Sequence, residues 1–201
     1  MKNRIKAIIF DFDGPIVTRD SKEIYKKHEI KYSLEVGSLE KLMDEYHHGA
    51  NLAEYETIFE FYEKTKPSIN LAVEALNDIF LEVKSTVRIR SEMIDYIGEL
   101  KKKYKTAILS NFNSELENLL KNIFKIYHLF DIVVNSYNLK ISKPNPEIYL
   151  HTLEKLNVKA DEAVFIDDKE RNTKVAEALG IKSIVFQNFE QLKKDLSKIL
   201  G

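Results

Sequence analysis

Ala7-Ile8-Ile9-Phe10-Asp11-Phe12-Asp13-Gly14-Pro15 is the stretch whose reading decides the fold. Its apolar run, Ala7 to Phe10, stops at a Gly-Pro break and reads as a buried strand. The strand ends in two carboxylates on alternate residues, Asp11 and Asp13. Carboxylates are almost never buried without a partner. Two of them this close repel unless a cation or a donor stands between them. Asp and Gly are also ordinary turn residues, so these nine residues alone leave a capped turn open. The rest of the chain decides between the two.

Working outward, the first strand covers residues 5–11, and Gly14-Pro15 breaks it. After it the texture changes. Ile24, Tyr25, His28, Tyr32 and then Leu39, Leu42, Met43 and Tyr46 recur at mostly three- and four-residue spacings among charges, as in amphipathic helices. Two more helices are expected over 51–64 and 69–84, on either side of Pro67. No β-type alternation interrupts 17–88, which reads as an all-helical insert. Tyr55, Phe59, Phe61 and Tyr62 are expected in its core, and His47-His48 on its surface.

From Ser91 the pattern becomes alternating strand and helix. Ser91 is placed to cap a helix running to about Tyr104. Strands are expected at 106–109, 130–135, 163–166 and 184–186. Ser114 with Glu117 has capping-box spacing, and Asn145-Pro146 has the N-cap and first-turn residues of a helix. Gly180 suits the residue after a helix ending at Leu179, and 188–200 forms the last helix. Strands separated by helices imply a parallel sheet with helices on both faces. The class is therefore α/β: a core of 1–16 plus 89–201, with 17–88 inserted.

Composition narrows the functions. The 201 residues carry 31 basic and 32 acidic side chains, so there is no basic excess to suit a nucleic acid or an anionic membrane. With no cysteine, disulfides, thiolate catalysis and cysteine zinc sites are excluded. No stretch approaches membrane-span length, and the charged start does not read as a signal peptide. A cytoplasmic protein, monomer or homodimer, is the expectation. Lys101-Lys102-Lys103 reads as a solvated helix end.

Parallel α/β sheets bind ligands at the carboxyl ends of their strands. Asp11 and Asp13 end the first strand, Ser110-Asn111 the next, Lys143 follows the third, and Asp167-Asp168 end the fourth. These groups suit phosphoryl transfer to a carboxylate. Bringing a carboxylate to a phosphate costs about 4 kcal/mol per charge pair at about 4 Å in a moderately polar site. A cation must offset that. Asp11 and Asp168, with the Asp13 main-chain oxygen, would hold Mg²⁺, a hard cation that prefers oxygen. Lys143, the Ser110 hydroxyl and backbone N–H groups near Phe12 to Gly14 would bind phosphate oxygens. Asp13 is placed to protonate the leaving group and then to activate water. Lys169 and Arg171 lie close after the metal aspartates; solvated positions are the main reading and contact with a substrate the lesser one.

DFDG at 11–14, SN at 110–111, KPNPEIY at 143–149 and FIDDKERNTKVAEALG at 165–180 resemble, in order and spacing, the four motifs of the haloacid dehalogenase superfamily. The likeness spans the whole core. It implies a Rossmann-like parallel sheet with an inserted helical cap of the first class, and a Mg²⁺-dependent phosphohydrolase acting on a small phosphorylated substrate. Asp11 would be the nucleophile, Asp13 the acid/base, and Phe12, Ser110, Asn111 and Lys143 the phosphate-binding set. Asp168 would ligate the metal, with Asp167 and Asn172 supporting it. One residue departs from the pattern: Pro15 stands where Thr or Val is usual, which removes a donor and fixes φ. A 2-haloacid dehalogenase is the enzymatic alternative, against which Asp13 argues, because that branch carries an aromatic residue there. A weakly active binding protein is the other. A signalling receiver domain places its acidic pair differently.

Overall fold

The computed structural model describes residues 5–201. The sequence reading of 1–4 lies outside the described residues. The chain runs β1 (Ala7–Phe10), β2 (Val17–Thr18), α1 (Ser21–Lys31), α2 (Ser38–Ala50), α3 (Ile58–Thr65), α4 (Val73–Ser85), β3 (Arg88–Ile89), α5 (Ser91–Lys101) and β4 (Lys105–Ser110). Then come the single turn α6 (Leu116–Asn118), a π-helical turn over 119–123, β5 (Ile132–Asn135) and the short α7 (Ser136–Leu139). The last elements are α8 (Pro146–Leu156), β6 (Ala163–Asp167), α9 (Glu170–Ala178), β7 (Lys182–Val185) and α10 (Phe189–Leu200).

Five strands form one parallel sheet in the order β5-β4-β1-β6-β7. Because side chains alternate along a strand, each sheet face collects its own apolar set. Ile8 and Phe10 join Ile108, Val164, Ile166 and Ile184 on one face, covered by Met93 and Ile97 of α5 and Leu192 and Leu196 of α10. Ala7 and Ile9 join Ala107, Leu109 and Phe165 on the other, under Ile148, Tyr149 and Leu153 of α8. The helices of the insert bury a third apolar set, Ile24 to Val83, which contains no sheet residue. In it Phe61 is buried and Tyr55 and Tyr62 are partly so, but Phe59 is 42% exposed, not a core residue.

Several local expectations are corrected. The insert is not wholly helical: β2 and β3 pair antiparallel where the chain leaves and re-enters the core. Residues 51–57 are turn and bend, and the helix begins only at Ile58. Thr57 caps it by accepting from the Glu60 N–H at 3.2 Å. Ser91 is the first residue of α5 rather than its cap, and the helix buries Met93, Ile97 and Leu100. Ser114 makes no capping box, because its hydroxyl goes to Glu56. Asn145 does cap α8, accepting from the Glu147 N–H at 2.9 Å with Pro146 in the first turn. Gly180, at φ +86°, follows α9 as expected.

Candidate active site

The sheet order puts β1 between β4 and β6, so their carboxyl ends are neighbours. Phe10 pairs with both Ile108 and Ile166, so Asp11 emerges level with Asp167 and one residue short of Ser110. The Asp11 N–H donates to the Ile166 carbonyl at 2.8 Å, which fixes that level. Asp11, Ser110, Lys143 and Asp167 are all buried.

Lys143 is the hub. Its Nζ donates to Asp167 Oδ2 at 2.7 Å and lies 2.9 Å from Asp11 Oδ1. Burial works against its charge, yet those two carboxylates hold it above the ordinary lysine range. Burial likewise opposes ionisation of Asp167. Lys143, the Lys169 N–H and the Asn172 amide outweigh it and hold Asp167 low. Asp11 goes the other way: burial pushes it up to about 7 despite Lys143, with the Asp167 charge adding. Asp168 is raised, by desolvation first and Asp167 second.

The arrangement fits a hard cation. Asp11, Asp167 and Asp168 each offer a carboxylate oxygen within 4.8 Å of the others. Lys143 pairs with Asp11 and Asp167, while Asp168 has no ion pair among the described residues, and an all-oxygen donor set suits a divalent ion. Gly14 makes room for the approach. At φ +99° it sits so close that an added Cβ would lie 2.8 Å from Asp168 Cγ. Beside the carboxylates, the buried Ser110 Oγ has no protein hydrogen-bond partner, as expected of a donor kept for a ligand.

The other expected residues do different work. Asn111 clamps the Lys143 backbone: its amide donates to the Lys143 carbonyl at 2.9 Å, and its carbonyl accepts from the Lys143 N–H at 2.8 Å. The Phe12 N–H goes to Asp11 Oδ1 at 2.7 Å and the Gly14 N–H to the Val17 carbonyl at 2.9 Å. That leaves the Asp13 N–H as the loop's available donor. Asp11 Oδ1 is thus doubly engaged, and Oδ2 is the oxygen left for chemistry. Pro15 disturbs little. The loop closes through the N–H groups of Gly14, Ile16 and Val17, so the donor that proline lacks breaks none of these bonds.

Asp13 carries a partner that nothing in the motif announces. Arg19 grips its carboxylate with Nε at 3.2 Å and Nη2 at 2.8 Å. A second arginine, Arg90, donates from Nε to the Gly14 carbonyl at 3.0 Å. Both lie at the β2–β3 crossing, far from the later motifs in sequence. A cleft of ≈ 1720 Å³ opens from Asp13 and Asp168 to the insert, lined there by Arg19, Tyr25, His47 and His48. His48 is exposed, but His47 is half-buried in the cleft rather than simply on the surface. Lys169 and Arg171 also line it.

A family model described as haloacid dehalogenase-like hydrolase matches residues 8–186. The chain is 27% identical over 216 residues to D-ribitol-5-phosphate phosphatase of Bacteroides thetaiotaomicron, covering 98% of this chain and 99% of that protein. It is 28% identical over 132 residues to bifunctional epoxide hydrolase 2 of Rattus norvegicus, and the match spans 63% of this chain but only 24% of that protein's length. The structure of a HAD family enzyme from Bacteroides thetaiotaomicron, in its magnesium complex, superposes with a TM-score of 0.72 at 25% identity, over 94% of this chain and 98% of that one.

Proposed function

Because the chain belongs to the haloacid dehalogenase-like hydrolases, we propose that it is a Mg²⁺-dependent phosphohydrolase of small phosphorylated metabolites, working through an aspartyl-phosphate on Asp11. The observation that carries this is Lys143 wedged between Asp11 and Asp167, with an unpartnered Ser110 hydroxyl and Asp168 beside them. The phosphatase and the magnesium-bound enzyme among the similar proteins point the same way. We place the cap at 17–88 and the core at 1–16 plus 89–201, a division supported by the separate apolar set of Ile24 to Val83, with Val17 and Val87 packing on the core side of the junction.

Mg²⁺, held by Asp11, Asp168 and the Asp13 main-chain oxygen, would supply charge neutralisation and polarise the phosphoryl group. Asp11 Oδ2 attacks phosphorus, forming an acyl phosphate as the ester P–O bond breaks. Asp13 gives its proton to the departing oxygen. Water then attacks phosphorus, the bond to Asp11 breaks, and Asp13 takes the water's proton, so phosphate leaves and both aspartates are restored. Lys143, the Ser110 hydroxyl and the Asp13 N–H would receive the charge on the phosphoryl oxygens. Asp13 must first leave the Arg19 fork, which pairs with its ionised form.

Hydrolysis of a panel of phosphate esters with and without Mg²⁺ tests the proposal. Activity should require the ion, and Asp11→Asn should lower kcat by roughly 10³-fold or more. Turnover that survives that substitution would reject Asp11 as nucleophile. EDTA-insensitive release of halide from a 2-haloacid would instead support the carbon-centred alternative.

A further inference from the structure

The chemistry above does not use three cleft-lining bases, which are Arg19 ahead of α1, His47 on α2 and Lys169 after β6. They come from hinge, insert and core, yet they face one space. Arg19 spends Nε and Nη2 on Asp13, and its Nη1 has no partner among the described residues. The Lys169 N–H serves Asp167 at 2.8 Å, but its ammonium has no ion-pair partner among the described residues. The His47 ring is held by aromatic neighbours, 5.3 Å from Tyr46 and 6.0 Å from Phe80 between centroids. Neither of its nitrogens has a hydrogen-bond partner among the described residues. These are three donors, two of them cationic, with capacity to spare.

Asp13 engages two nitrogens of Arg19 and Asp168 lies in the field of Lys169, yet the third Arg19 nitrogen and the Lys169 ammonium keep donors to spare. Glu40 and Asp44 act on Tyr25, which they push up after burial. Burial first, then the charges of Arg19 and Lys169, push His47 down to about 4. Arg19 and Lys169 are both close enough to His47 to act on it, so the three groups gather at one part of the cleft that Asp13 and Asp168 also line.

We propose that the group leaving phosphorus carries a second anion, a carboxylate or a further phosphate, and that Arg19, His47 and Lys169 receive it. This rests on the phosphatase reading of the site. It narrows the substrates to phosphorylated acids and phosphoanhydrides over phosphates of neutral polyols.

The test is steady-state kinetics with Mg²⁺ on matched pairs. 2-Phosphoglycolate is set against 2-hydroxyethyl phosphate, 3-phosphoglycerate against glycerol 3-phosphate, and inorganic pyrophosphate against methyl phosphate. The carboxylate pairs and the pyrophosphate pair tell the two sources of anion apart. At least one anionic member should exceed its partner roughly tenfold in kcat/KM, and Lys169→Met and His47→Gln should each bring that ratio down several-fold. Hydrolysis with no preference for the anionic member in any pair, or a preference untouched by both substitutions, overturns the proposal and leaves the phosphatase reading standing. Hydrolysis of none of the six overturns both.

Discussion

Lys143 is the residue on which the site's electrostatics turn. It keeps two buried carboxylates from facing each other unpaired. Lys143→Met should cost about 3–5 kcal/mol, the usual loss when one member of a buried ion network is removed. The readout is the urea midpoint. Adding Asp167→Asn to the variant should recover part of the loss, and an unchanged midpoint in Lys143→Met would sink the account. At this scale the sequence was highly informative about Asp11, Asp13, Ser110, Lys143 and Asp167-Asp168, because strand ends converge in a parallel sheet wherever a chain alternates strand and helix. It was silent on the partners. Arg19 is one of 31 basic residues and carries no local signal. Its grip on Asp13 exists only once β2 has folded back beside the loop. Asn111 was readable as part of a motif but not as the clamp on Lys143, which joins residues 32 apart.

Among elements, α2 carries the most testable consequence. His47 stays neutral in the folded protein down to about pH 4, whereas the unfolded chain takes a proton near the ordinary histidine value of 6.5. Stability from this group is therefore complete above pH 6.5 and drains away as pH falls toward 4. Urea midpoints at about pH 7.5 and about pH 5 should converge in His47→Gln relative to the native protein; an identical fall in both would show that another group is responsible. The insert was the least legible region. Its apolar spacing extends back to Leu52 and suggests a helix over 51–64, but Ala53 sits at φ +61° and the helix waits for Thr57. Thr57 with Glu60 is itself a capping-box signal, available in the sequence but outweighed by the periodicity before it. The strands and helices of the core were easier, because many of them are bounded by a Gly, Pro, Asn or Asp, though not α5, which Arg90 and Lys102 flank.

At the scale of the whole molecule, insert and core are tied at more than the β2–β3 crossing. Ser136 donates its hydroxyl to the Asn51 carbonyl at 2.7 Å. Tyr137 donates to one oxygen of Glu56 and Ser114 to the other. Lys84 meets Glu115 at 2.6 Å. These contacts latch the insert over the cleft. Glu56→Gln combined with Ser136→Ala should lower amide-exchange protection over 51–56 by roughly thirtyfold, at about 1 kcal/mol for each of two hydrogen bonds lost. Protection equal to that of the native protein would mean the latch is ornamental. Thr18 stands directly opposite Arg88 in the crossing, so the insert departs and returns through a single doorway. A detour that begins and ends at adjacent points can be lengthened, trimmed or traded for another without moving any strand of the sheet. Ancestry could therefore revise what such a protein admits while leaving untouched the means by which it reacts.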